Sequence, residues 1–523
     1  MKHRFFSLAA VAMGLLLASA AWAGPGSVEV QTTGDITIRM GAQVRLVPTS
    51  EIDRDFGLSG NLENSEMKKA AGIMPGAIGN TRAHLNEAGG EVKDSYIRGE
   101  NRLFFNFAHG SDWDVYMMLE SDTTLDRSSA DRTDFALGKQ SQQFGIERLN
   151  ASFNMPWIHS RLNAGWDVKG ADVKFGGMVY GDDDPGIGIS GGMNGFKWTA
   201  WYLKKDETEA GYPTNANNAT GGVSDGKSED RTFWTAKLGY QFAGGTYLEG
   251  FYFFDKNDLS SRSVDRHFFG LNYRGEYGII KPIAELVYIT GETDDLDRDY
   301  DIESFAFFGD ILFDLSETVG IKKFDFHFGG YWLQGDDDPN DKDLEGFTPA
   351  VGITRFTPRF GGEQTISMDG NPVFGQILYS MFPAYYGTVA GGGINGGAKL
   401  DNPGFRMIGT GIKAVYGNWT YTTNLMAMWF DEEEAVENYF INKGVNGNVK
   451  IDSFMGLEWN NEIRYKLFKA VTIKGGAAFL FPGSGAKDIT KALDAFGRGV
   501  DFAQGRESDD VSMRFAAELL WFF

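Results

Sequence analysis

The last thirteen residues of the chain, Val511 to Phe523, read VSMRFAAELLWFF. Ser512, Arg514, Ala516 and Glu518 share one parity. The other parity is entirely apolar: Val511, Met513, Phe515, Ala517, Leu519, Trp521 and Phe523. A period of two indicates a β-strand with two different faces. One face suits lipid, and the other, with its guanidinium and carboxylate, suits water.

The aromatic end of this strand resembles the C-terminal signal of bacterial outer-membrane barrels. Trp521 and Phe523 are therefore predicted to act as an assembly signal. The alternative is the last strand of a soluble sandwich, in which Trp521, Phe522 and Phe523 would belong to the core. The rest of the chain must decide between them.

The first residues predict a secretory signal peptide over positions 1–23. Lys2, His3 and Arg4 form a positive region, an apolar run follows to Ala18, and Ala21-Trp22-Ala23 is a cleavage site of the A-x-A type. The apolar run is shorter than the roughly 20 residues that a spanning helix needs. The mature chain is therefore expected to be residues 24–523. Removing Lys2 and Arg4 takes the formal charge from -22 to -24.

Composition narrows the class further. The chain has no Cys, which excludes a disulfide framework and a thiolate metal site. After residue 23 no apolar run approaches the length of a spanning helix, and the mean hydropathy is -0.28. This excludes a helical membrane protein but not a barrel, whose lumen-facing polar residues dilute the lipid-facing ones. The strongly acidic balance also argues against nucleic-acid binding.

Alternating segments recur along the chain, joined in turn by long polar stretches and short turns. About eighteen strands, nine long loops and eight short turns are predicted. The Asn194-Gly195 pair is the strongest hairpin signal. The predicted strands are 36–46, 96–109, 113–120, 148–155, 161–166, 187–190, 196–202, 234–240, 248–254, 267–277, 283–290, 303–313, 324–333, 407–416, 419–430, 455–465, 471–481 and 511–523.

This pattern predicts an all-β fold, a transmembrane antiparallel β-barrel with long extracellular loops and short periplasmic turns. An even number of strands places both chain ends at the short-turn end. A soluble sandwich has no reason to keep its long connections on one end. The predicted location is the bacterial outer membrane.

Gly-Asp-Asp-Asp-Pro occurs twice, at 181–185 and 335–339, and Phe347-Thr348-Pro349 follows the second copy. In this loop the chain resembles the outer-membrane porins and, more loosely, the alginate-export type of eighteen-stranded barrel. The porin resemblance implies a passive aqueous channel, often a homotrimer, with loops folded into the lumen. Ordinary turn chemistry explains the repeat equally well, since Asp and Pro favour turns.

Residues 335–405 are the candidate constriction loop. Their segment 374–386 (FGQILYSMFPAYY) is too apolar for bulk water and should pack inside the barrel or on a neighbouring subunit. The stretch 48–94 is the second candidate.

Acidic clusters fall in predicted external loops: 182–184, 294–301, 336–338 and 431–434. Asp336, Asp337 and Asp338 are weak candidates for a metal site, and divalent ions could also bridge such loops to lipopolysaccharide. The spacing of a calcium-binding loop is absent. A solvated, self-repelling surface is the competing interpretation.

No catalytic geometry can be assembled from the sequence. Its six His are scattered, and neither G-x-S-x-G nor H-E-x-x-H occurs. We therefore expect no enzyme activity and no cofactor. The absence of C-x-x-C-H means that any haem would belong to a partner.

Charged residues of the polar parity are predicted to line the pore. A basic wall is expected where the first strands meet the last, and the opposite wall is expected to lean acidic. The basic wall would hold Arg39, Arg45, Arg98, Arg102, Arg148, Arg161 and Arg514, and the acidic side Asp310, Glu458 and Glu462. The alternative is that the arginines pair with Glu100, Glu120 and Glu518 and leave no net wall.

The leading hypothesis is a porin that passes small polar solutes or ions down their gradients. An 18-stranded ring leaves room for water, whereas eight strands would be filled by side chains. The alternative is a scaffold or sheath for a partner complex, such as an export machine or an electron-conduit cytochrome. Outer-membrane lipid and lipopolysaccharide are the expected surroundings.

Overall fold

The computed structural model describes residues 28–31, 35–53, 55–63, 65–66, 69–70, 93–124, 145–208, 229–258, 263–294, 299–338, 340–350, 360 and 403–523. The predicted signal peptide, the apolar segment 374–386 and most of the stretch 48–94 lie outside these residues.

Strands dominate the described residues. In chain order they are β1 (Val28–Gln31), β2 (Ile36–Ile52), β3 (Lys93–His109), β4 (Trp113–Thr124), β5 (Gly145–Met155), β6 (Ser160–Gly170), β7 (Gly181–Met193), β8 (Phe196–Thr208), β9 (Glu229–Gln241), β10 (Tyr247–Asn257), β11 (Val264–Arg274), β12 (Ile280–Asp294), β13 (Asp299–Asp314), β14 (Lys323–Leu333), β15 (Asp343–Leu344), β16 (Phe405–Tyr416), β17 (Trp419–Trp429), β18 (Phe454–Phe468), β19 (Val471–Pro482) and β20 (Ser512–Phe522). Helices with described bounds are α1 (Leu58–Asn61), α2 (Ser316–Val319), α3 (Glu434–Asn442) and α4 (Ser484–Arg498).

Eighteen of these strands, β2 to β14 and β16 to β20, form one closed antiparallel ring. Consecutive ring strands pair with each other, and β14 pairs directly with β16. The last strand, β20, pairs with β2 and closes the ring. β1 pairs with the first half of β2, and the two-residue β15 lies parallel to β13. The predicted barrel and its strand number are confirmed.

The connections alternate as predicted, with short turns at one end of the barrel and longer segments at the other. Asn194 and Gly195 join β7 to β8 with positive φ angles of 53° and 88°. These angles fit the two-residue hairpin turn that matches the twist of its strands. Both β2 and β20 reach the short-turn end, so the chain begins and ends its barrel there.

Several strands run beyond the limits expected from sequence. β7 covers 181–193 rather than 187–190, and its first residues pair with the end of β6, Asp184 with Asp167 and Asp182 with Lys169. The prediction that residues 182–184 form an external loop is therefore wrong. Polar residues extend a barrel strand without penalty when they face a polar partner inside the lumen.

Side-chain exposure shows the two faces of the wall. On β9, Trp234 and Leu238 face outward and are 51% and 59% exposed. Phe233 and Thr235, on the inward parity, are 0% and 5% exposed. The same alternation runs around the ring, with large apolar residues outward. In the described part of the chain, no helix has both the length and the apolar character needed to cross a membrane.

Part of the lumen is filled by a hydrophobic core. The inward side chains of β8 to β14 include Trp201, Phe233, Phe253 and Phe268, all buried. Tyr180 packs among them, with its ring centroid 5.0 Å from that of Phe233 and 5.2 Å from that of Phe253. The sequence predicted polar residues facing the lumen. On this side of the described barrel the inner face is instead partly apolar.

At the long-loop end of the barrel, segments of the loops after β2 and after β19 lie next to β18. Helix α4 packs against β18 and buries Ile489, Ala492 and Leu493. Near its end, Gly497 leaves no room for a side chain, because a Cβ there would lie 2.8 Å from the backbone oxygen of Glu66. This close approach joins the loop after β2 to the loop after β19.

Candidate functional site

The predicted pore-lining residues lie on the inward parity of their strands. On β2 and β20, for example, Arg45 and Glu518 are 8% and 2% exposed, while Trp521 on the other parity is 37% exposed. Asp310, Glu458 and Arg514 are buried inside the ring as well. Their role in permeation stays a prediction.

Two arginines of the predicted basic wall each contact more than one carboxylate. Arg45 lies 2.6 Å from Glu100 and 2.8 Å from Glu518. Arg102 lies 3.0 Å from the same Glu100 and 2.9 Å from Glu120. Glu100 is shared by the two arginines, so these charges alternate in sign around the wall.

The other arginines of this wall are also paired. Contacts between charged atoms join Arg39 to Glu29 (3.5 Å), Arg98 to Glu100 (3.8 Å), Arg148 to Asp183 (3.6 Å), Arg514 to Glu51 (3.7 Å) and Arg161 to Asp114. The side chains of Arg39 and Arg98 are each 40% exposed, the most open of the set. Each arginine of the predicted wall thus contacts a carboxylate, although only Glu100, Glu120 and Glu518 were named as partners from the sequence; a net basic wall stays a prediction.

The residues expected on an acidic wall also have partners. Asp310 accepts a hydrogen bond at 2.7 Å from Nδ1 of His327, whose Nε2 lies 3.1 Å from Oδ1 of Asn424. Glu462 lies 3.2 Å from Arg464. Glu458 is fully buried.

A segment that the sequence treated as an ordinary loop folds into the lumen. We call residues 171–180, between β6 and β7, the inward loop. All its residues except Val173 and Lys174 are buried. Its backbone oxygens accept hydrogen bonds from three inward side chains: Ala171 from Lys237 (2.7 Å), Lys174 from Arg274 (3.1 Å) and Gly176 from Tyr331 (3.1 Å). These contacts span β9 to β14, so the loop narrows the lumen from that side.

Two carboxyl groups anchor the inward loop. Asp172 accepts hydrogen bonds from the backbone N–H groups of Val179 (2.7 Å) and Tyr180 (3.1 Å), and Glu285 on β12 accepts one from Gly176 (2.6 Å). A Cβ on Gly176 would lie 2.8 Å from Oε2 of Glu285, so only glycine fits there. Both carboxyl groups thus bind backbone N–H groups of the same ten-residue loop.

This carboxyl pair predicts a pH-dependent loop. Burial raises the pKa of Asp172 above its ordinary 3.8, although the bond to Glu285, backbone N–H groups and Lys237 oppose the shift. A raised pKa means that the folded loop is stabilised below the ordinary pKa and loses this stabilisation as pH rises through the folded value. We expect fluctuations of the channel current to grow as pH rises through this range. The Asp172→Asn variant, which cannot ionise, should lack this dependence; identical pH profiles would contradict the assignment.

A second segment, residues 343–350, lies inside the same side of the barrel. Leu344, Phe347 and Ala350 are buried there. The segment belongs to the candidate constriction loop 335–405, whose residues 351–359 and 361–402 are outside the described structure. The Phe347-Thr348-Pro349 motif therefore lies against the inner wall of the barrel and not in a turn on the surface.

An ionic clamp of Arg231, Asp255 and Arg266 holds this segment. Asp255 accepts hydrogen bonds from Nε of Arg231 at 3.0 Å and from Arg266 at 2.5 Å. The arginines in turn donate to backbone oxygens, Arg266 to Thr348 at 2.8 Å and Arg231 to Ala350 at 3.1 Å. All three clamp side chains are at most 3% exposed.

The two acidic triplets differ in their surroundings. In the first, Asp184 accepts a hydrogen bond from Lys205 at 3.1 Å, and Asp182 also pairs with Lys205. In the second, Asp336 is 1% exposed, whereas Asp337 and Asp338 are not buried. The described residues contain no group of three or more His, Asp or Glu side chains placed to hold a metal ion.

Comparisons with known proteins give fold neighbours only. No protein-family model and no curated protein matches the chain. Among solved structures, OccK5 (OpdH) of Pseudomonas aeruginosa is 12% identical, with a TM-score of 0.45, covering 92% of this chain and 98% of that one. OccK9 (OpdG) of the same organism is 10% identical, with a TM-score of 0.48 and coverages of 93% and 98%. A BenF-like porin from Pseudomonas fluorescens is 12% identical, with a TM-score of 0.46 and coverages of 93% and 99%. At this level of similarity, function must be argued from the chain's own residues.

Proposed function

We propose that this chain is a porin of the bacterial outer membrane, a channel for passive diffusion of small polar solutes or ions. The observation that carries the proposal is the closed 18-stranded ring with apolar residues outside and charged residues inside. Only helices and closed barrels satisfy every backbone group in lipid. A ring of this size is wide enough for a solute path beside its inward segments.

The path runs along the arc of paired arginines. The inward loop and residues 343–350 fill the lumen at β8 to β14, and α4 lies over β18. Arg39, Arg98 and Arg102, with side chains 40%, 40% and 25% exposed, face the remaining space. A solute moving there meets charges of both signs in turn.

The alternative, a sheath for a partner complex, needs an interior that another chain can enter. Here the chain's own segments occupy part of that interior, which favours the porin. The contacts of His327, the one buried histidine among the described residues, also disfavour catalysis. Both ring nitrogens of His327 are engaged, by Asp310 and Asn424, so neither is available to activate a nucleophile.

Planar-bilayer recording tests the proposal. The purified protein should give stepwise conductance without additions. A silent protein that co-purifies with a periplasmic or coloured partner would support the sheath instead. Cleavage after residue 23, a homotrimer and contact with lipopolysaccharide belong to the same proposal; N-terminal sequencing and the mass of the native particle test the first two.

Ion selectivity gives a further prediction. Replacing Arg39, Arg98 and Arg102 together with Gln removes three positive charges but leaves Glu29, Glu100 and Glu120 in place. Because the lumen screens charge only over about 8 Å at physiological salt, the zero-current potential in a salt gradient should shift toward cation preference. The control replaces Lys450, Lys487 and Lys491 of the long-loop end with Gln. Equal shifts in both triple variants, or none, would refute the role of these arginines.

A further inference from the structure

A group of cations lies at the exposed tip of the inward loop. Burial lowers the pKa of Lys174, and the charges of Lys237 on β9, Arg274 on β11 and Lys197 on β8 add to this shift, while Glu249 on β10 opposes it. Lys237 lies 3.4 Å from Glu249. Among the described residues, Lys174, Lys197 and Arg274 have no carboxylate partner within ion-pair distance.

Contacts from the wall hold two of these cations in place. Arg274 donates to the backbone oxygen of Lys174 at 3.1 Å, and its guanidinium lies 5.1 Å from the ring centroid of Phe175. Nζ of Lys197 lies 5.3 Å from the ring centroid of Tyr247, which is directly opposite Arg274 in the sheet. The two cations therefore flank the same tyrosine, Lys197 from β8 and Arg274 from β11, and most of their N–H donors remain available.

These cations differ from the arginines of the pore wall. Arg45 and Arg102 each contact two or more carboxylates, so a passing anion must compete with fixed partners. An anion beside Lys174 displaces no such partner. It also relieves the repulsion among these like charges, which adds to burial in lowering the pKa of Lys174.

We infer that Lys174, Lys197 and Arg274 form a binding site in the lumen for a small oxyanion carrying two negative charges, such as a phosphate or a short dicarboxylate. Three unpaired cations, with Lys237 balanced by Glu249, leave a local excess of positive charge. A dianion would balance two of these three charges. The inference rests on the proposed channel function and names its solute class.

Anion binding at this site can be measured as block of the chloride current. Inorganic phosphate, added at a pH where the dianion dominates, should reduce the chloride current through the wild-type channel in a saturable way. Hydrogen bonds between charged groups are stronger than those between neutral groups, so the Lys174→Gln/Lys197→Gln variant should require at least about tenfold more phosphate for half-block. Lys197→Arg, which keeps the charge, should retain the block.

The matched control is Lys413→Gln. Lys413 is an exposed residue on the inward parity of β16, four ring strands from β11, and has no carboxylate within ion-pair distance among the described residues. Its loss should leave phosphate block unchanged. Succinate, tested in the same way, distinguishes a site for dianions in general from one that prefers the tetrahedral oxyanion; block by either probe supports the inference.

Three results would overturn the inference: wild-type current indifferent to both phosphate and succinate, unchanged block in the double variant, or equal weakening in Lys413→Gln. A wild-type protein that folds, as judged by its heat-modifiable electrophoretic band, but never conducts would contradict the channel function itself. The two failures are thus distinguishable.

Discussion

Deleting Trp521, Phe522 and Phe523 is expected to abolish accumulation of the folded barrel. Phe523 exchanges two backbone hydrogen bonds with Ala42, at 2.7 and 3.0 Å, and Phe522 donates to the oxygen of Ala470 at 2.8 Å. Trp521 pairs with Val44 on one side and with Val471 on the other. The deletion therefore removes the short-turn end of the seam on both of its neighbours.

An open seam exposes backbone N–H and C=O groups to lipid, where each unsatisfied group costs several kcal/mol. We expect the heat-modifiable band to disappear from outer-membrane fractions. Trp521→Phe with Phe523→Tyr is the matched control, because it keeps the strand length and the aromatic end. A normal yield of folded truncated protein would mean that the ring closes without these residues.

The ring itself could be predicted because its signal is local. Alternation along β20 is visible in thirteen consecutive residues, and the Asn194-Gly195 turn is visible in two. Each predicted strand has a described counterpart at the same place in the chain. Strand ends were less accurate, since Asp182 to Asp184 have the composition of a turn but extend β7 by pairing with Lys169, Val168 and Asp167 of β6.

The interior could not be predicted in this way. The inward loop depends on a hydrogen bond between Gly176 and Glu285, which are 109 residues apart. One signal was available: Phe175, Met178 and Val179 make the segment too apolar for an exposed loop. The same argument was applied to 374–386 and would have applied here.

Strand parity alone also could not predict which carboxylates pair with the arginines of the wall. Parity places Arg102 inside the barrel, but it does not say which carboxylates face it. Register does, because Arg102 lies directly opposite Glu120 on β4 and opposite Gln43 on β2. The charges of a lumen can therefore be listed from sequence, while their net field needs the strand alignment.

Breaking the ionic clamp at Asp255 should have the second large effect. Asp255→Asn leaves the guanidinium groups of Arg231 and Arg266 buried side by side without a counter-charge. Removing one partner of a buried ion pair typically costs about 3–5 kcal/mol. Because the same arginines hold the backbone oxygens of Thr348 and Ala350, segment 343–350 should detach from the wall.

Three measurements should report that detachment. Channel conductance should rise or become noisier, trypsin should cleave faster after Lys342, and the heat-modification temperature should fall. Arg266→Met removes the hydrogen bond to Thr348 but leaves Asp255 paired with Arg231 at 2.9 Å, so the buried charges stay balanced. This variant should release the segment with a smaller loss of thermal stability. Asp258→Asn, a nearby acid 32% exposed in its ion pair with Lys256, is the matched control and should behave like the wild type. Asp255→Asn channels with wild-type conductance, noise and tryptic cleavage would show that the clamp does not position this segment, and that the lumen at β9 to β11 keeps its shape by apolar packing alone.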